Sequence, residues 1–143
     1  MNTMHKSNNS LSMHDAVRQL TRDETVTVTV KGECMMPWIE NDARLQITPA
    51  KFYWPGDVVV ALSKNSHYLV HRVIGGYWRT GRLKLLTQAD SALRSDVAVL
   101  PGDILGRVTG GSCHPYTVSV PLSHRLKTLL CFGRVIFRKV VKS

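Results

Sequence analysis

The chain has 143 residues, 43% of them hydrophobic, and 19 Lys or Arg against 10 Asp or Glu give it a formal net charge of +9. That length suits one domain with one core, and the apolar content excludes a wholly disordered chain. No apolar run approaches the roughly 18 residues that span a bilayer, and three cysteines without framework spacing exclude a disulfide scaffold.

Residues 1–10 are polar, rich in Asn and Ser, and lack the apolar stretch of a secretory signal, so a cytoplasmic protein is expected. Residues 11–20 form a short predicted helix, with Ser12 as N-cap and Met13, Val17 and Leu20 toward one side. From Thr25 the period changes. Val26, Val28 and Val30 alternate with threonines, which predicts a half-buried strand ending at Gly32. A turn closed by Pro37 follows, and then a second strand over 44–48 with Leu45 and Ile47 on one face.

Pro55-Gly56-Asp57 turns the chain into an apolar run, 58–62, expected to be a buried strand. A polar turn at 63–66 leads to a strand over 67–74 that carries His71 and is broken by Gly75-Gly76. Residues 82–87 give another short strand, followed by a polar loop through Asp96. Pro101-Gly102-Asp103 then opens a strand over 104–109. Many short strands with Gly and Pro turns predict a mainly β domain, a small barrel or coiled antiparallel sheets.

After Pro121 the pattern becomes helical and basic. Leu122, Leu126, Leu129 and Leu130 recur at helical spacing, and Gly133 is expected to interrupt or end that helix. The economical partition is a lead-in with a short helix (1–24), a β domain (25–121) and a basic amphipathic tail (122–143). The tail holds six Lys or Arg and no acid, two-thirds of the net charge. It is expected to hold the protein on an anionic membrane surface, with Leu126, Leu129, Leu130, Ile136 and Phe137 supplying apolar area and Arg125, Lys127, Arg134, Arg138 and Lys139 supplying charge. Cys113, His114, His124 and Cys131 match no common structural-zinc spacing, and neither a metal nor a cofactor is expected.

The chemistry-bearing residues fall in three segments. Gly32-Glu33-Cys34-Met35-Met36-Pro37 sets a thiol in a turn whose Gly permits unusual backbone angles and whose Pro fixes the exit. Leu69-Val70-His71-Arg72-Val73-Ile74-Gly75 sets an imidazole on a strand. A cysteine becomes a nucleophile when a nearby base favours its thiolate, and histidine is the usual base near neutral pH. The third segment, residues 87–96, carries Asp90 and, six residues on, Asp96.

Taken in this order, with Pro55-Gly56-Asp57-Val58-Val59 and Pro101-Gly102-Asp103-Ile104 between and after them, the segments resemble the peptidase superfamily of type I signal peptidases and LexA-like self-cleaving repressors, over about residues 25–109. In that group a Gly-x-Ser-Met-x-Pro box holds the nucleophile. The resemblance puts Cys34 at the serine position, with Gly32, Met35 and Pro37 as the supporting Gly, Met and Pro. It makes His71 the general base, as in the endoplasmic-reticulum and archaeal type, where bacterial members commonly have Lys. Residues 87–96 resemble a Gly-Asp-Asn-Asn box with a later Asp, although Ala89 replaces the Gly and Ser91-Ala92 the two Asn. Asp96 thereby inherits the role of orienting the histidine, and Asp90 that of supporting the loop.

The resemblance implies an endopeptidase that removes a leader or signal-like segment from a peptide or precursor-protein substrate. Two alternatives stand beside it: a weakened or inactive peptide-binding module on the same fold, and a LexA-like self-cleaving regulator. No helix-turn-helix segment fits before residue 25, and no nucleic-acid partner is expected.

Overall fold

The computed structural model describes residues 15, 19, 24–30, 35–62, 68–91 and 97–142. Of the helix predicted over 11–20, Asp15 and Gln19 are among them, and both are helical. The polar turn at 63–66 lies outside the described residues. Seven strands follow one another: β1 (Val26–Thr29), β2 (Arg44–Thr48), β3 (Val58–Leu62), β4 (Tyr68–Arg79), β5 (Arg82–Gln88), β6 (Val97–Val99) and β7 (Ile104–Gly111). They form one antiparallel sheet in the order β1-β2-β7-β3-β4-β5-β6. The protein is mainly β, as the turn-punctuated alternation predicts.

The sheet is bent by register shifts at Gln46/Ile47, Val60/Ala61 and between Val73 and Gly75. An extra residue on one strand locally tightens the twist and curls the sheet. Curling gives it two cores. On one face Met35, Ile39, Leu45, Ile47, Val58, Val60, Val70 and Val108 cluster; on the other, Val59, Ala61, Val73, Leu85, Val99 and Ile104 do. β3 feeds both, because alternate residues of a strand point to opposite faces, and this explains its unbroken apolar run.

After the sheet, the described residues form α1 (Pro115–Val118), capped by His114 Nδ1 accepting from the Tyr116 amide at 3.2 Å, and α2 (Leu122–Val141). α2 docks on β4. Its N-terminal half is fastened by Arg125, whose Nη1 reaches Asp57 Oδ1 at 2.9 Å and the Pro55 carbonyl at 2.9 Å. Gly56 in that turn has φ +98°, and a Cβ there would press on Val120 and Arg125, so both the turn and the helix approach require glycine.

The structure corrects two sequence expectations. Gly75-Gly76 does not break its strand: β4 runs on to Arg79 through a bulge, and the ring of Phe132 packs where a Gly75 side chain would stand. Gly133 does not interrupt α2 either. A single helical Gly costs only about 1 kcal/mol, and contacts of the neighbouring Phe132 with the sheet hold the helix through that point. Beyond the expected loop, the structure adds the three-residue strand β6, paired with Leu85–Thr87 of β5.

Candidate functional site

β4 carries His71 and Arg72 side by side, so their side chains leave the sheet on opposite faces. Register with β3 pairs Val59 with His71 and Val58 with Arg72. His71 therefore shares the face of Val59, Val73 and Leu85, and Arg72 the opposite one. Both are almost wholly buried, 5% and 3% exposed.

His71 shares its face with the apolar Val59, Val73 and Leu85 and with the hydroxyl of Thr87. Its Nδ1 lies 3.4 Å from Thr87 Oγ1, a long contact that limits how the imidazole turns. Among the described residues the β4–β5 ladder begins at the Arg72–Gln88 pair, one residue beyond His71. The imidazole thus sits level with the end of β5 while still paired to β3. Val97, the residue after Asp96, is the cross-strand partner of Thr87. The polar loop therefore returns to the sheet opposite the residue that touches His71.

Arg72 is a clamp. Its Nε donates to Asp90 Oδ1 at 2.8 Å and its Nη2 to Asp90 Oδ2 at 2.7 Å, while Nη1 donates to the Gly56 carbonyl at 2.7 Å. A bidentate guanidinium–carboxylate pair fixes position and orientation together. Asp90, at the root of the loop that leads to Asp96, is tied in this way to β4 and to the Pro55–Gly56 turn. On the same side, α2 brings His124 close to Arg72 and Asp90. Partial burial, and then the Arg72 charge, push the His124 imidazole below its ordinary value.

Cys34 and Gly32 lie outside the described residues, as does Asp96. The rest of the box is described. Met35 is buried in the first core cluster, and Pro37 is exposed after a cis peptide. The Met35 carbonyl accepts from the amides of Trp38 (2.9 Å) and Ile39 (3.0 Å), closing the turn. Trp38 extends it into an aromatic group with His114, centroids 4.4 Å apart, and Tyr116. Beside this turn a cleft of about 640 Å³ runs between Pro37 and Trp38 on one wall and Cys113 and His114 on the other. Burial raises the Cys113 thiol above its ordinary value, which disfavours the reactive thiolate there. Cys113 and His114 line this cleft, whereas His124 and Cys131 line one of about 200 Å³ under α2.

The structure thus adds Thr87 and Arg72 to the residues that shape the site. Thr87 lies within the segment the sequence singles out, yet only the strand register reveals that it faces His71. The signal for Arg72 is its place beside His71 in a strand, where a buried cation requires a carboxylate partner. Compared with known proteins, the chain matches no family model and no curated sequence.

Proposed function

We propose that the chain is a cysteine endopeptidase that cuts a leader or signal-like segment from a peptide or precursor protein. In this reading Cys34 is the nucleophile, His71 the general base and Asp96 the carboxylate that orients the imidazole. The observation that supports it best is the buried imidazole of His71 at the opening of the β4–β5 ladder, with Thr87 on its Nδ1. A ring enclosed on a rigid interior strand, level with the end of β5, suits a general base held in a fixed position.

The chemistry follows from the residue types. The imidazole takes the Cys34 proton, the thiolate attacks the scissile carbonyl, and the C–N bond breaks as the imidazolium protonates the leaving amine. Water, activated by the same imidazole, then hydrolyses the thioester and restores the thiol. Sulfur is the better nucleophile at neutral pH, so Cys in place of Ser is compatible with turnover. The clamped Asp90 holds the root of the loop still while Asp96 acts.

A peptide bearing a thiol-directed electrophile tests this, with adducts located by mass spectrometry. Cys34 is expected to label fastest, faster than Cys113, whose thiol burial holds protonated, and His71→Ala is expected to remove that advantage. Equal labelling of Cys34 and Cys113 in both proteins refutes the dyad. Tight peptide binding without cleavage would turn the assignment toward a peptide-binding module.

A further inference from the structure

α2 faces the wrong way for a helix whose work is to fill a core. At 3.6 residues per turn, Leu122, Leu126, Leu129, Leu130, Phe137 and Val140 fall along one side, and that side points to solvent, with Leu130 67% and Phe137 69% exposed. The opposite side, with Thr128 and Phe132, meets the sheet. The apolar face is thus left uncovered while the helix is already docked. Lys127, Arg134 and Arg138 run along one flank of it, all exposed.

The uncovered face continues onto the β domain. Trp54 and Pro55 meet Leu122, Leu126 and Leu129 around an apolar hollow of about 360 Å³. Trp54 and Phe52 are themselves largely exposed. Contiguous apolar surface of this kind on a soluble domain marks an interaction site. No described helix is long and apolar enough to cross a membrane.

From this we infer that α2, with Trp54, is an in-plane docking surface for an anionic lipid bilayer. The leucines and Phe137 enter the headgroup–acyl boundary, the flanking cations meet lipid phosphates and carboxylates, and the Trp54 ring sits at headgroup level. Charge selects this occupant over a second copy of the chain. Residues 122–143 contain no acid, so packing two such helices face to face brings cation flanks together with no carboxylate on either helix to meet them. This surface is independent of the peptidase reading and survives its failure.

The test is sedimentation of the full chain with vesicles of phosphatidylcholine, alone or mixed with phosphatidylserine, at low and high salt. Binding is expected on the mixed vesicles only, and it weakens with salt. The triple change Lys127→Gln, Arg134→Gln, Arg138→Gln should lower partitioning on the order of 100-fold, at about one headgroup interaction per cation. Leu126→Ser with Leu130→Ser and Phe137→Ser should abolish it while leaving the melting curve unchanged, because these side chains are exposed. Equal binding to neutral vesicles, or none to anionic ones, overturns the proposal. So does a melting temperature lowered by the serine changes, or a concentration-dependent dimer in light scattering that the same changes dissolve.

Discussion

His71 and Arg72 occupy consecutive positions of one strand, equally hidden from water, and the strand treats them in opposite ways. Arg72 faces Asp90 and the Gly56 carbonyl with three bonds of 2.7 to 2.8 Å, all charge-assisted. His71 stands on the other face, beside Val59 and Val73, with its Nδ1 3.4 Å from Thr87 Oγ1. A fixed charge gripped from several sides does structural work, because a buried guanidinium without its carboxylate would be very costly. An imidazole, unlike a guanidinium, is not bound to stay charged, which is what the proposed role of a base requires. One dipeptide thus supplies a clamp to one face and a candidate base to the other.

The sharpest way to break this contrast is to exchange each residue separately. His71→Gln should cut peptide cleavage by on the order of 100- to 10,000-fold, the usual weight of a general base. It should cost no more than about 1 kcal/mol of stability, since glutamine can still meet Thr87. Cleavage kinetics and denaturant unfolding on one preparation measure both. Arg72→Met should do the reverse, losing about 3–5 kcal/mol by stranding Asp90, with activity falling in proportion to the folded fraction. If His71→Gln unfolds the protein and Arg72→Met does not, the assignment of roles is inverted.

Asp90 and Asp96 sharpen the comparison within one loop. Asp90→Asn leaves Arg72 short of a charge, and a loss of about 2 kcal/mol is expected in chemical denaturation. Asp96→Asn should slow cleavage while leaving the melting curve in place, if that carboxylate orients His71. Equal, small effects of both changes would leave the histidine without its proposed partner.

The smallest effect concerns the Arg72 side and pH. The His124 imidazole sits below its ordinary value of 6.5, from partial burial first and then the nearby Arg72 and Lys127, with Asp90 opposing them. The unfolded chain therefore binds this proton more readily than the folded one, and stability rises with pH through that window. The contribution is complete above 6.5 and is lost as the pH falls below it. His124→Gln should flatten that part of a stability-against-pH curve; an unaltered slope would remove His124 from it.

What the sequence reveals and what it hides divide along the range of the interactions. β2 and β3 are legible to the residue, because alternation and an apolar run are local patterns bounded by turn residues. The Pro55-Gly56-Asp57 turn is legible for the same reason. The continuation of β4 through Gly75-Gly76 is not, because the partner that fills the glycine notch is Phe132, far along the chain. β6 escapes notice because three residues carry no period and owe their conformation to β5. Helical spacing finds the apolar leucines of α2 but cannot say which face meets the sheet. It misjudges Ile136, which is half-buried, and Arg125, which is committed to Asp57 rather than to the solvent-facing cations. At the candidate site, residue type singles out His71, but its burial, its Thr87 contact and the Arg72–Asp90 clamp all come from strand register.

The carboxylate of Asp57 gathers more of the chain than any prediction above requires. Its Oδ2 accepts from the Trp54 amide at 2.9 Å, Arg125 binds its Oδ1, and Arg107 stands 3.6 Å from its Oδ2. The turn and the helix it joins are separated by 70 residues in the pair formed by Pro55 and Arg125. Closing so long a loop delays the contact but adds little to its equilibrium cost. Until β7 and α2 arrive, this carboxylate has the Trp54 amide but no cation, and the Gly56 turn leans on β4 alone, through the Val73 carbonyl and the Arg72 guanidinium. Docking of the helix therefore completes a turn that β4 already orders in part. In hydrogen exchange, the Gly56 amide, bonded to the Val73 carbonyl, should stay protected with β4 when the first half of α2 opens.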